Sequence, residues 1–91
     1  MILPILDLDD YDIHEQIAKV AEEYDEWDNS VLGTENDVEE TLDAMQALMG
    51  YLLKIVPDHD ELEKQFEKHY QKLIDRKWDT NGHIELKFHY K

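Results

Sequence analysis

Glu22, Glu23 and Glu26, followed by Glu40 and Asp43, are the residues of this chain best suited to chemistry. They bracket the stretch EEYDEWDNSVLGTENDVEETLD, two acidic clusters joined by a linker that contains Gly33. Glu23 and Glu26 are three apart, and so are Glu40 and Asp43. On a helix such residues are surface neighbours, roughly 5–6 Å apart at Cβ. Two such pairs on antiparallel helices would gather four carboxylates around one point. The chemistry open to such a group is capture of a hard divalent cation. Magnesium takes oxygen ligands in near-octahedral geometry, keeps several waters, and commonly joins protein carboxylates to substrate phosphates. The clusters contain no histidine and the chain no cysteine, so magnesium, or manganese in its place, is expected rather than zinc.

Three helices are predicted to position these acids. Asp9, Asp10 and Asp12 supply cap and first-turn acids for a helix from about Tyr11 to Leu32, or to nearer Trp27 if Asp28, Asn29 and Ser30 end it early. Its apolar stripe is Ile13, Ile17, Val20, Tyr24, Trp27 and Val31. Thr34 is the expected N-cap of a second helix, from Glu35 to Val56, with Asp37 in the place of a capping-box glutamate. Pro57 stops it. This helix is apolar on two sides. Val38, Leu42, Met45, Met49, Leu52 and Val56 form one stripe, and Ala44, Ala47, Tyr51 and Ile55 another. A helix of that kind is central, covered by more than one neighbour. Glu40 continues the second stripe and Asp43 lies beside it, so these acids sit on a packed face. Carboxylates are costly there unless a positive charge meets them.

Asp58 with Glu61 opens a third helix, His59 to Trp78. Its apolar face is Leu62, Phe66, His69, Tyr70 and Leu73, and Lys64, Lys68, Lys72, Arg76 and Lys77 make it the basic element. Residues 1–10, with Pro4, are expected to be irregular or extended. After the Thr80-Asn81-Gly82 turn, residues 83–90 alternate, with Ile84, Leu86, Phe88 and Tyr90 on one side, as a half-buried strand does. Its partner would be the segment Ile2–Leu6 or the same tail of another subunit. The fold class that follows is all-α, a single domain over 1–91: a helical hairpin plus a third helix, with a short terminal β element. Two chains would complete a four-helix core through helix two, as a homodimer or homotetramer.

The bulk properties narrow the function. Net charge is −14, from 23 acidic and 9 basic residues, which repels nucleic-acid phosphates unless a cation intervenes. Apolar residues make up 42% of the chain, enough for a folded domain. The brief apolar run at the amino terminus has neither the length of a membrane span nor the flanks of a signal peptide, so a cytoplasmic location is expected. No glycine-rich phosphate loop, nucleophile elbow or Ser-His-Asp order is present, and the five histidines form no metal-type group.

Glu22-Glu23-x-x-Glu26, thirteen residues, then Glu40-x-x-Asp43 resembles the EExxE…ExxD signature of the MazG-like all-α nucleoside triphosphate pyrophosphohydrolases. Lys72 and Arg76, four apart in HYQKLIDRKW, resemble that family's later basic element. The likeness spans about Ala18 to Trp78. It implies a magnesium-dependent hydrolase that cuts nucleoside triphosphates between the α and β phosphates, removing particular nucleotides from the pool. By that analogy Glu23, Glu26, Glu40 and Asp43 would ligate the metal. Glu22 would be a further ligand or would orient and deprotonate the attacking water, and Lys72 and Arg76 would clamp pyrophosphate. Trp27 offers an indole face on which a base could stack, and it also completes the first helix's apolar stripe. A dimeric dUTP- or dCTP-directed pyrophosphatase would use similar carboxylate geometry. A different class of function is a non-enzymatic acidic helical protein that mimics DNA on a basic partner.

Overall fold

The computed structural model describes residues 1–91 and holds three helices and no strand: α1 (Ile13–Asp28), α2 (Glu35–Ile55) and α3 (His59–Asp75). The chain divides into two compact units, Met1–Ile55 and Val56–Lys91.

In the first unit the helix ends are set by side chains that meet orphaned backbone groups. Asp12 caps α1, its Oδ1 accepting the Glu15 N–H at 2.8 Å. The helix stops at Asp28, short of Leu32, because Asn29 Nδ2 and Ser30 Oγ both donate back to carbonyls of the last turn, Asp25 and Trp27. Gly33, at φ 78°, turns the chain in the linker, a conformation that L side chains rarely adopt. Thr34 then caps α2 through the Asp37 N–H at 3.2 Å. Asp37 reaches back to the Gly33 N–H and the Ser30 hydroxyl, each at 2.8 Å, so one carboxylate ties the linker to both helices.

The hairpin is antiparallel. Gln16, early in α1, donates to the Ala47 carbonyl late in α2, while Glu23 and Glu40 meet at the other end. Ala44 and Ala47 give α2 a shallow face where the helices meet. The face that α1 turns inward takes in only part of its apolar stripe. Gln16 and Glu23 are its buried residues, 2% and 7% exposed, with Ile13 and Val20 half-buried beside them. Ile17, Tyr24 and Val31 remain exposed. The helix is thus rotated from the packing that hydrophobicity alone predicts. On α2, Val38, Leu42, Met45 and Leu48 also stay exposed.

The segment before α1 is irregular, as expected, but it is tied down. Gln46 donates to the Pro4 carbonyl at 2.7 Å, and Lys54 Nζ donates to Leu8 and Tyr11 carbonyls at 2.8 and 2.6 Å. Between these anchors, a Cβ on Gly50 would lie 2.7 Å from Leu8 Cδ1 and 3.0 Å from Gln16 Nε2. Gln46, Gly50 and Lys54 are four apart and form one row of α2, along which the segment runs.

In the second unit Asp58 caps α3 by accepting the Glu61 N–H at 2.9 Å. The helix closes before Trp78. Lys77 takes a left-handed φ of 62°, and the Trp78 N–H bonds the Leu73 carbonyl at 3.1 Å, the signature of a Schellman end. Leu62, 1% exposed, is the unit's buried residue. Residues 83–90 do not form the predicted strand. They carry no ladder, because a strand needs a hydrogen-bonded neighbour and none is supplied.

Lys54→Met would leave the Tyr11 carbonyl without its donor and the Leu8 carbonyl with the Tyr11 N–H alone. The expected cost is about 1–2 kcal/mol, with cleavage by a non-specific protease appearing first between residues 4 and 11. Chemical denaturation and limited proteolysis check this.

Candidate metal centre

The site grows from one end of the hairpin. Glu23 lies at the seam of α1, Glu22 and Glu26 flank it, and Glu40 and Asp43 face it from the start of α2. Glu22, Glu23 and Glu26 each bring a carboxylate oxygen within 4.8 Å of the others, and Glu23, Glu40 and Asp43 do the same. Glu23 belongs to both groups. All five acids singled out by spacing therefore meet at one end of the hairpin.

The electrostatics are unfavourable as the site stands. Glu23 Oε2 and Glu40 Oε2 are buried and have no hydrogen-bond partner. A buried acceptor without a donor costs about 1–3 kcal/mol, more when it is charged. The neighbouring Glu23 charge pushes the Glu26 carboxyl above its ordinary range, and desolvation, Glu40 and Glu22 add to this. Glu23 has one partner, Lys19, whose Nζ lies 2.8 Å from Oε1 and 3.7 Å from Glu22 Oε1. That contact holds the Lys19 ammonium above its ordinary range. Lys19 thus occupies one oxygen of Glu23 and leaves the other facing Glu40 and Asp43. Spacing could have found it, since it precedes Glu23 by one helical turn.

These features fit a divalent cation. The donors are all carboxylate oxygens, as a hard ion requires, and two of them are buried without a proton donor. The first unit holds fifteen Asp and Glu against two Lys, a net −13, and the second eight against seven Lys and Arg, a net −1. Nearly all the net negative charge therefore lies in the unit with the carboxylate group.

The other candidate residues have different settings. Trp27 is 40% exposed and packs its ring against Tyr24, 5.7 Å between centroids, so it is an accessible aromatic surface more than a core residue. Lys72 lies in the last turn of α3 and Arg76 caps it, the Arg76 N–H bonding the Lys72 carbonyl at 3.0 Å. Neither forms an ion pair. Both belong to the second unit. No family model, curated protein or solved structure matches the chain.

Two acids should shape the pH dependence of stability in opposite senses. Glu26 has a raised carboxyl pKa in the folded chain, so its contribution is present below the ordinary 4.5 and lost as pH rises through the folded value. Asp37 is lowered, first by the Gly33 N–H and then by the Ser30 hydroxyl. Its contribution is present above the ordinary 3.8 and lost as pH falls through the folded value. Denaturation at a series of pH values should show Glu26→Gln flattening the first limb and Asp37→Asn the second. Lys19→Met should cost about 1 kcal/mol, the low end of the range because the ammonium is half exposed, and Lys19→Arg should cost less.

Proposed function

We infer that the chain is a magnesium-dependent hydrolase of nucleoside triphosphates, releasing the monophosphate and pyrophosphate. The observation that carries this reading is the pair of buried, unpartnered oxygens, Glu23 Oε2 and Glu40 Oε2, inside a ring of carboxylates. Folding alone would not select such a ring, since like charges this close repel. A ligand with positive charge accounts for it. The ordered EExxE, ExxD and Lys72/Arg76 motifs support a polyphosphate as the second partner.

Glu23, Glu26, Glu40 and Asp43 hold the metal in this reading, and Lys19 keeps Glu23 turned for it. When bound, the metal neutralises phosphate charge and acidifies water. Glu22, whose side chain is well exposed at the edge of the group, takes the proton of the attacking water. The water oxygen bonds to phosphorus at the α–β linkage, the bridging P–O bond breaks, and pyrophosphate leaves. By the resemblance, the charge of the departing pyrophosphate falls to Lys72 and Arg76, one turn apart on their helix. Trp27, beside Glu26, stacks on the base. Two chains join through the exposed apolar residues of α2, Val38, Leu42, Met45 and Leu48.

The test is pyrophosphate release from a panel of ordinary and modified triphosphates with magnesium or manganese. At least one should be hydrolysed. Glu40→Gln and Asp43→Asn should each lower the rate on the order of a hundredfold while the helical circular dichroism stays intact. No release from any nucleotide, with melting unchanged by either metal, would sink the reading and leave the acidic interaction protein in its place.

A further inference from the structure

The second unit ends in an irregular segment with nothing paired to it. Phe88 and Tyr90, two residues apart, stack their rings at 6.4 Å and 19°, the spacing of same-side neighbours on an extended chain rising about 3.3 Å per residue. Phe88 packs on Phe66 of α3 at 6.2 Å, and Tyr90 packs on His59 at 6.1 Å, so the apolar row faces that helix. No backbone N–H or carbonyl of residues 79–91 is hydrogen-bonded. The cover by α3 is also incomplete. Phe88 is half-buried, but Ile84 is 83% exposed and Leu86 is exposed as well, along a groove of about 780 Å³ lined by Leu62, Phe66 and Tyr70. An unpaired edge of this kind is a template for another strand.

We propose that residues 83–90 pair antiparallel with the same segment of a second copy of this chain, on a two-fold axis at Leu86. The choice of partner and register comes from the side chains. Directly opposite residues share a face in an antiparallel pair, so the apolar row must meet the apolar row. Registers centred on Glu85 or Lys87 set like charges against each other on the axis. Centred on Leu86, each Glu85 faces the other copy's Lys87, and this happens twice. Ile84 then lies beside the other copy's Phe88, the residue that α3 covers best, so the most exposed apolar residue gains a neighbour. A two-stranded ribbon alone is marginal, but this one carries a helix under each strand. The pairing is independent of the carboxylate group and of any contact through α2.

The chain has no cysteine, which allows a clean readout. Leu86→Cys places one thiol on the axis, at a cross-strand Cβ separation of about 4.5–5.5 Å that slight adjustment brings within disulfide reach. Under mild oxidation it should form a covalent dimer much faster than Asp79→Cys, which lies before the turn. In the Leu86→Cys background, Glu85→Lys or Lys87→Glu should each slow crosslinking about tenfold. The double swap should restore it, and mixing the two single variants should crosslink them to each other. Equal rates for Leu86→Cys and Asp79→Cys would overturn the pairing. Crosslinking at Leu86→Cys that ignores the charge changes would overturn the register. Circular dichroism of each variant separates these outcomes from loss of α3.

Discussion

A carboxylate buried at a helix–helix seam is the constraint to which the first unit answers. Glu23 is 7% exposed, and only one of its oxygens has a partner. Desolvating a charge is costly, and the return from one half-exposed lysine is small. The rest of the hairpin compensates. Gln16 closes the seam with an amide bonded to Ala47, the alanines of α2 let the helices meet, and Lys54 and Gln46 fasten the leading segment across the outer row. Asp37 does the same for the linker, holding Ser30 and Gly33 so that the end of α1 and the start of α2 keep their spacing. The interactions that stabilise this unit are those that keep its acids crowded.

That arrangement also explains the rotation of α1. Its apolar stripe is centred on Ile17 and Tyr24, yet the helix turns Gln16 and Glu23 inward and leaves those two exposed. The polar row matches the Glu40, Ala44, Ala47 face of α2, where small side chains and an acid leave room for it. Apolar burial would have favoured the other rotation, by roughly 25 cal/mol for each Å² covered. The seam thus gives up apolar contact for crowded acids, and stability is lost there.

Much of this was legible in residue order. Asp12, Thr34 and Asp58 mark the helix starts because an oxygen-bearing side chain before an amphipathic run has few other uses. The grouping of Glu22, Glu23, Glu26, Glu40 and Asp43 follows from three-residue spacing on two antiparallel helices. What was not legible depended on partners. The end of α3 rests on Lys77 in a left-handed conformation, where lysine carries none of glycine's signal. The buried role of Gln16 is hidden because a polar residue weakens the very stripe used to find the packed face. Alternation in residues 83–90 describes the local chain correctly but says nothing about whether a second strand exists. The same limit applies to Trp27, whose place on an apolar stripe suggested a core that the rotated helix does not give it.

Few apolar residues are enclosed: Ala47 and Leu62 are the buried ones. Chains of this size bury a small fraction of their surface and commonly gain stability by association. On α2 the exposed residues Val38, Leu42 and Met45 occupy the same turns as Glu40 and Asp43. Whatever covers that apolar face also stiffens the turns that carry two of the five acids. Restraining ligands before an ion arrives reduces the entropy lost on binding, so cover on one side of the helix and affinity on the other are thermodynamically linked. In the proposed dimer through α2 the second copy supplies that cover. The crowding of acids works against folding of the single chain, and a cation at their centre and a neighbour on the opposite face would each lower the free-energy cost that the other must meet.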